Sequence, residues 1–328
     1  MRARSSGAAG RCGADLTLAS AATTLGVLPL AVALDLALGD PPNAFHPVAW
    51  LGRMIAPWRP LADRLRPRAA WLAGVALAVV VPSVWVGACL GALALAQRWP
   101  LGHLVIAVML TKCTFAIRGL GQAAWAVEAA LRTGDVPLAR QRLGALCSRD
   151  ASRLGPAELR AAAVSSIAEN ASDSGVAPLF WFACFGLPGA LVYRAINTLD
   201  AMVGYRGRFE FLGKASARLD DVLNGIPARA TALVLLLHGA LAGRDARTAW
   251  RIARRDARTT PSPNAGWPMA TMAGLLGVQL RKPEVYALGD DDTPLGPDSI
   301  AIAWRLARRT MLTMAALAWL VVAGRMWA

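Results

Sequence analysis

Six stretches of the chain are apolar and almost free of charge: 16–34, 71–96, 101–117, 174–193, 230–243 and 310–324. The first two contain no Asp, Glu, Lys or Arg. At 1.5 Å per helical residue, each is about long enough to cross a ~30 Å hydrocarbon layer. Window 101–117 carries Lys112 near its end, and windows 230–243 and 310–324 are short for spans. Window 174–193 is long enough but is interrupted by Pro178, Gly186, Pro188 and Gly189. That pattern suits a broken or re-entrant helix buried in protein.

Between these windows the polar positions are also periodic. Over 156–173, Ser166, Glu169, Asn170 and Asp173 fall at i, i+3, i+4 and i+7, one face of a helix, with Val164, Ile167, Ala168 and Ala171 opposite. Over 193–205, Arg194, Asn197 and Asp200 recur at i, i+3 and i+6, and Gly204 is expected to end that helix. Over 214–229, Arg218 pairs with Asp221 and Asp220 with Asn224 at helical spacing. There Leu219, Val222, Leu223 and Ile226 are the predicted buried stripe, and Pro227 the predicted stop. The segment 244–258 predicts a basic helix near anionic headgroups or lining a cleft.

Composition supports the membrane reading. The 328 residues are 55% hydrophobic and only 17% charged, with mean hydropathy +0.41, against about 25% charged in soluble domains. Arg2, Arg4 and Arg11 precede the first window as in a secretory leader, but that window runs straight into the polar stretch 35–46, so it is read as retained. The expectation is a single membrane-embedded domain over 1–328, all-α, with about four to six transmembrane helices, re-entrant or buried half-helices and cytoplasmic helical loops. Residues 1–15 are expected to form a flexible N-terminus.

The net charge of +14 is explained by topology more simply than by nucleic acid, for which no binding motif is present. If windows 174–193 and 230–243 dip into the layer without crossing, segments 39–68 and 112–309 share one side. Of the 35 basic residues, 30 then lie together, 5 in the first segment and 25 in the second. Cytoplasmic loops collect Lys and Arg in this way, so four true spans in the cytoplasmic membrane are expected. Cys12, Cys89, Cys113, Cys147 and Cys184 are scattered without a CxxC pair, which suggests neither a disulfide framework nor a thiolate zinc site.

The candidate chemistry lies where charge meets the apolar windows. An acidic helix face leading into a membrane-type run fits a Mg²⁺ or amine site, the alternative being a solvated surface. The stretch 207–214 has the wrong spacing for a Walker loop, and Ala215 stands where a hydroxyl is needed. Lys214 remains a candidate phosphate-binding charge. His46 lies in a rigid Pro-rich loop, open to a ligand, acid-base or capping role, whereas His103 and His238 lie inside apolar windows. Ser262-Pro263-Asn264-Ala265-Gly266 is a turn element. No Ser-His-Asp order, HExxH or dinucleotide fingerprint is present.

Taken together, ordered motifs resemble the adenosylcobinamide-phosphate synthase family (CobD/CbiB) of cobalamin biosynthesis. They are Gly-Asp-Pro at 39–41, His-Pro-Val at 46–48, AENASD at 168–173, APLF at 177–180, PGA at 188–190 and YRAINTLDAMVGY at 193–205. GKASARLDD at 213–221, NGIPAR at 224–229 and SPNAG at 262–266 complete the set. The resemblance covers about 34–286 and implies ATP-dependent amide formation. The propionate carboxylate of adenosylcobyric acid would be joined to (R)-1-amino-2-propanol or its O-phosphate, with ATP and Mg²⁺ as cofactors. Implied partners are the corrinoid substrate, the aminopropanol (phosphate), the lipid bilayer and other membrane-bound cobalamin-assembly enzymes.

On the same resemblance, Glu169, Asn170, Asp173, Asp200 and Asp221 are the expected catalytic residues. Glu169, Asp173, Asp220 and Asp221 are expected on Mg²⁺ or the amine. His46, Arg194, Asn197, Lys214, Arg218, Asn224, Arg229, Ser262 and Asn264 are expected on substrate and phosphate. The chain departs from the family pattern at Ser165, Thr259, Thr260 and Met269. A noncatalytic membrane sensor or signalling relative is the alternative reading; a transporter would need internal symmetry that is not evident.

Overall fold

A computed structural model describes residues 25–147, 150–290 and 293–327. The expected flexible terminus 1–15 and the first part of window 16–34 lie outside the described residues. The described chain is nearly all helix. Helix α1 is Leu25–Leu38, and α2 to α7 are Pro47–Ile55, Leu61–Arg64, Pro67–Leu95, Pro100–Lys112, Ile117–Arg132 and Val136–Leu143. Helix α8, Pro156–Ala171, leads through a π-helical turn, Ser172–Val176, into α9, Ala177–Val203. Helices α10 to α13 are Lys214–Leu241, Ala246–Asp256, Gly266–Leu276 and Ser299–Trp327. One antiparallel pair, β1 Leu280–Lys282 and β2 Tyr286–Leu288, places Leu280 opposite Leu288.

Among the described residues, five helical stretches are long and apolar enough to cross a membrane: Pro67–Arg98, Pro100–Arg132, Pro156–Val203, Lys214–Leu241 and Ser299–Trp327. Two of them are not straight rods. The second breaks at 113–116, between α5 and α6. The third folds back on itself at Gly186, whose φ of 67° and ψ of −158° lie in a region essentially reserved for glycine. A continuous helix would hold Asp173 and Tyr193 about 30 Å apart, yet the Tyr193 hydroxyl is 3.1 Å from the Asp173 carbonyl oxygen. The expected broken segment 174–193 is therefore a helical hairpin. Its tip would leave carbonyls unpaired, because Pro188 has no N–H for Cys184. Arg325 of α13 supplies the missing donors, with Nη1 at 2.6 Å from the Ala183 carbonyl and 2.9 Å from that of Cys184.

Helix α10 corrects three expectations. Pro227 does not stop it; the helix runs on to Leu241. A proline in a helix orphans the carbonyl four residues earlier, and the Trp181 indole N–H from the hairpin donates to that carbonyl, Leu223 O, at 3.1 Å. Window 230–243 is accordingly the second half of one helix, not a separate half-helix. Of the stripe predicted as buried, Leu223 packs against the core, but Leu219, Val222 and Ile226 face outward, exposed at 42, 75 and 63%. The exposed row continues through Leu233, Leu237 and Leu241 on the same face. Periodicity marks an apolar face but not whether lipid or protein covers it.

Helix α13 forms the spine of the core. Glycines bring its neighbours close: a side chain at Gly121 of α6 would meet Trp304, and one at Gly175 of the π turn would meet Met311. The predicted helix end at Gly204 is present as the C-cap of α9.

Candidate active site

The hairpin and α10 bring distant polar positions together. On α8, Asn170 is used locally: Nδ2 donates to the Ser166 carbonyl at 2.9 Å, and Oδ1 accepts from the Ser174 hydroxyl at 3.3 Å. The π turn then carries Asp173 away from strict α-helical register, a distortion common at functional sites. Its Ser174 carbonyl accepts from the Ala116 N–H, 2.9 Å away in the α5–α6 break, so two irregular segments satisfy each other.

Across from the π turn, the return arm of α9 presents Tyr193, Arg194, Asn197 and Asp200, and α10 presents Asp220, Asp221 and Asn224. The two helices are tied by amides. Asn224 Oδ1 accepts from the buried Tyr193 hydroxyl at 2.9 Å, and its Nδ2 donates to Asp220 Oδ2 at 2.9 Å. Asn197 Nδ2 donates to Asp220 Oδ1 at 3.2 Å. The Tyr193 hydroxyl thus touches both Asn224 and the Asp173 backbone, joining three elements at one point.

The electrostatics are one-sided. Asp173 lies within the fields of Asp220, Glu169 and Asp200, and Asp200 also feels Asp221. Arg194 faces Asp173 and also Asp40, and its Nε is buried without a hydrogen-bond partner. Four carboxyls in one membrane-embedded cluster repel one another strongly unless protons or a cation balance them.

A second group closes the site from the α1–α2 loop. Lys112, 1% exposed, contacts Asp40 and lies 3.7 Å from the fully buried Asp35. His46 Nε2 is 3.6 Å from Asp40, while its Nδ1 accepts from the Val48 N–H and caps α2, so the capping role is present. Burial alone would raise the Asp40 carboxyl, but hydrogen bonds from His46 and Lys112 outweigh it and hold the group down to about 2.

Comparison with known proteins agrees with this architecture. Residues 28–324 match the family model described as CobD/Cbib protein. The chain belongs to the CobD/Cbib family. It is similar to a "Cobalamin biosynthesis protein CobD" of Dehalococcoides mccartyi, 42% identical over 83% of this chain and 89% of that protein. A "Probable cobalamin biosynthesis protein CobD" of Methanothermobacter thermautotrophicus is 39% identical over 87% of this chain and 94% of that protein. The Klebsiella pneumoniae "Cobalamin biosynthesis protein CobD" is 42% identical over 77% and 81%. No solved structure matches.

Within this family member the remaining expected site residues fall into two groups. Lys214 and Arg218 are exposed on the first turn of α10, with Arg218 3.8 Å from Asp221. Arg229, Ser262 and Asn264 serve the junction of α10 with the 262–266 turn. Asn264 Nδ2 donates to the Asp221 carbonyl at 2.7 Å, and the Ser262 side chain hydrogen-bonds the Asp221 carboxylate. Arg229 donates to Asn264 Oδ1 at 3.2 Å and lies 5.2 Å over the Trp267 ring, which anchors it away from the carboxylates' centre.

Among the described residues no three His, Cys, Asp or Glu side chains form a group that could hold a metal ion. Glu169, Asp173, Asp220 and Asp221 are therefore not a protein-only cage. The donor set fits Mg²⁺ held by one or two carboxylates together with substrate oxygens and water.

Sequence reasoning passed over Tyr193, Asp35, Asp40 and Lys112 as site residues. A signal existed for Lys112, the lone charge in window 101–117, since an ionisable group in such a window points to function.

Proposed function

We propose that this protein forms the amide bond between the propionate carboxylate of adenosylcobyric acid and (R)-1-amino-2-propanol or its O-phosphate, consuming ATP at the cytoplasmic face of the cell membrane. The observation that carries the reading is the convergence of Glu169, Asp200 and Asp220, from three helical segments, on Asp173, with Arg194 beside it. Family membership and the relatives' names supply the pathway; the cluster supplies the residue types the reaction needs.

Chemically, a propionate oxygen attacks the γ-phosphorus of ATP, the bond to the bridging oxygen breaks, and ADP leaves. The amine nitrogen then attacks the acyl carbon, phosphate leaves with its electron pair, and the nitrogen loses a proton. A carboxylate of the Asp173–Asp220 group would accept that proton. Arg194, Lys214 and Arg218 supply positive charge for the phosphoryl oxygens. Mg²⁺, held by one or two of the four carboxylates, would neutralise phosphate charge when bound.

The test is product formation by the reconstituted protein, with complementation of a strain blocked in aminopropanol attachment. Asp173→Asn and Asp220→Asn should each lower turnover about 100-fold or more, the range of acid-base and charge roles, with membrane insertion intact. A wild-type chain that is well expressed yet fails to complement would leave a noncatalytic sensor as the reading. Three of the departures from the family pattern, Ser165, Thr260 and Met269, are buried, at 4%, 7% and 2%.

A further inference from the structure

The break between α5 and α6 does more than join two helices. Asp35, at the end of α1, accepts from the N–H groups of Ile117 and Arg118 at 3.1 and 2.9 Å, and so caps α6 across the chain. Arg118 returns the favour: its Nη1 donates to the Leu36 and Ala37 carbonyls at 2.8 and 2.5 Å, where a helix C-terminus attracts a cation. Gly39 turns the chain with a φ of 74°, and a side chain there would press on Arg118. The loop that follows is therefore moored to this break at its first residue.

Lys112 ends α5 and is 1% exposed. A buried ammonium is tolerated only when paired, and here it has two acids. Asp35 already serves the cap, so Lys112 is 3.7 Å from an oxygen without a hydrogen-bond partner. Asp40, with 37% of its side chain exposed, takes the direct contact. Four residues beyond Lys112, Ala116 donates to the Ser174 carbonyl, next to Asp173. The same short break thus holds the 39–46 loop on one side and the π turn on the other.

We propose that Lys112 is a positioning residue: by gripping Asp40 it locks the 39–46 loop against the π turn and fixes the wall of the candidate site that faces Arg194. Its kinetic consequence rests on the amide-forming reading, whereas its structural consequence does not. Removing the grip frees the loop without touching the Asp173–Asp220 cluster.

The experiment uses the full chain in nanodiscs, with Cys12, Cys147 and Cys184 replaced by alanine and a spin label on Asn43→Cys, an exposed position in the loop. In the parent the label should report a single ordered component. Lys112→Met and Asp40→Asn should each give a mobile component, and the double variant should be no more mobile than either, because the pair acts as one unit. Turnover should fall about 10- to 100-fold in kcat/KM, the size expected when a wall of the site is misplaced, again without additivity. If Lys112→Met does not fold because Asp35 loses its partner, the label's mobility in Asp40→Asn still decides, since that variant leaves Lys112 beside Asp35. An ordered label in Asp40→Asn, or additive losses in the double variant, would overturn the proposal. A parent with an ordered loop but no product would instead count against the amide-forming reading.

Discussion

Asp40 is a carboxylate whose ionisation is maintained by its neighbours. Its native value of about 2 lies below the ordinary 3.8, so between those limits the unfolded chain binds more protons than the folded one. The contribution of Asp40 to stability is thus fully present above about pH 4 and is lost as pH falls through about 2. The melting temperature of wild-type protein in detergent should exceed that of Asp40→Asn at pH 6, and the gap should narrow as the pH is lowered from 4 to 2.5. Equal melting temperatures at pH 6 would show that the pair contributes nothing. Tyr193 makes a second case. Tyr193→Phe deletes the one hydroxyl shared by Asn224 and the Asp173 backbone, leaving buried acceptors unsatisfied at a cost of about 1–3 kcal/mol. Chemical denaturation should register that loss, and Asn224→Ala combined with Tyr193→Phe should add less than it does alone. Asp200 and Asp220 were legible from spacing because each lies on an α-helical face, whereas the π turn shifts Asp173 off the α-helical face that spacing assigned it. Tyr193 and Lys112 were not legible, since their partners lie across a reversal and a break that no local pattern reports.

At the scale of elements, the chain's interruptions matter as much as its helices. The hairpin was foreshadowed by Gly186, Pro188 and Gly189, because those residues weaken a helix wherever it lies. Pro227 carries the same local signal and has the opposite outcome, since Trp181 restores the missing bond to Leu223 O from another element. Trp181→Phe keeps the aromatic bulk and removes the N–H, so it should cost about 1–3 kcal/mol and fray α10 at Pro227; faster amide exchange around 223–228 would display this. Gly186→Ala should be worse placed, as an alanine at φ 67°, ψ −158° pays about 1–3 kcal/mol in backbone strain. Its readout is loss of the stacked Trp181–Phe185 pair at the tip, whose rings lie 5.8 Å apart. The π turn at 172–176 had no sequence signal of its own, because its residues would serve equally well in an α-helix.

For the whole molecule, the decisive question is whether the polar segments share one side of the bilayer. The contacts require that Asp221 and Asn264 lie together, as do Asp173 and Asn224 through Tyr193, and Asp63 and Arg208 through their ion pair. The hairpin allows this because it returns the chain to the side from which it entered, so the intervening apolar residues need not carry the site across. Arg208 and Arg218 then fall on that side together with Asn264, where the positive-inside bias of cytoplasmic loops places basic residues. Single cysteines in place of exposed Arg153, Arg218 and Arg258 should therefore resist an impermeant maleimide in intact cells and react once the membrane is opened, while one replacing Arg98 should react at once. Labelling of position 258 but not 218 from outside would place the two halves of the site in different compartments, and no single cluster of carboxylates could then serve one reaction.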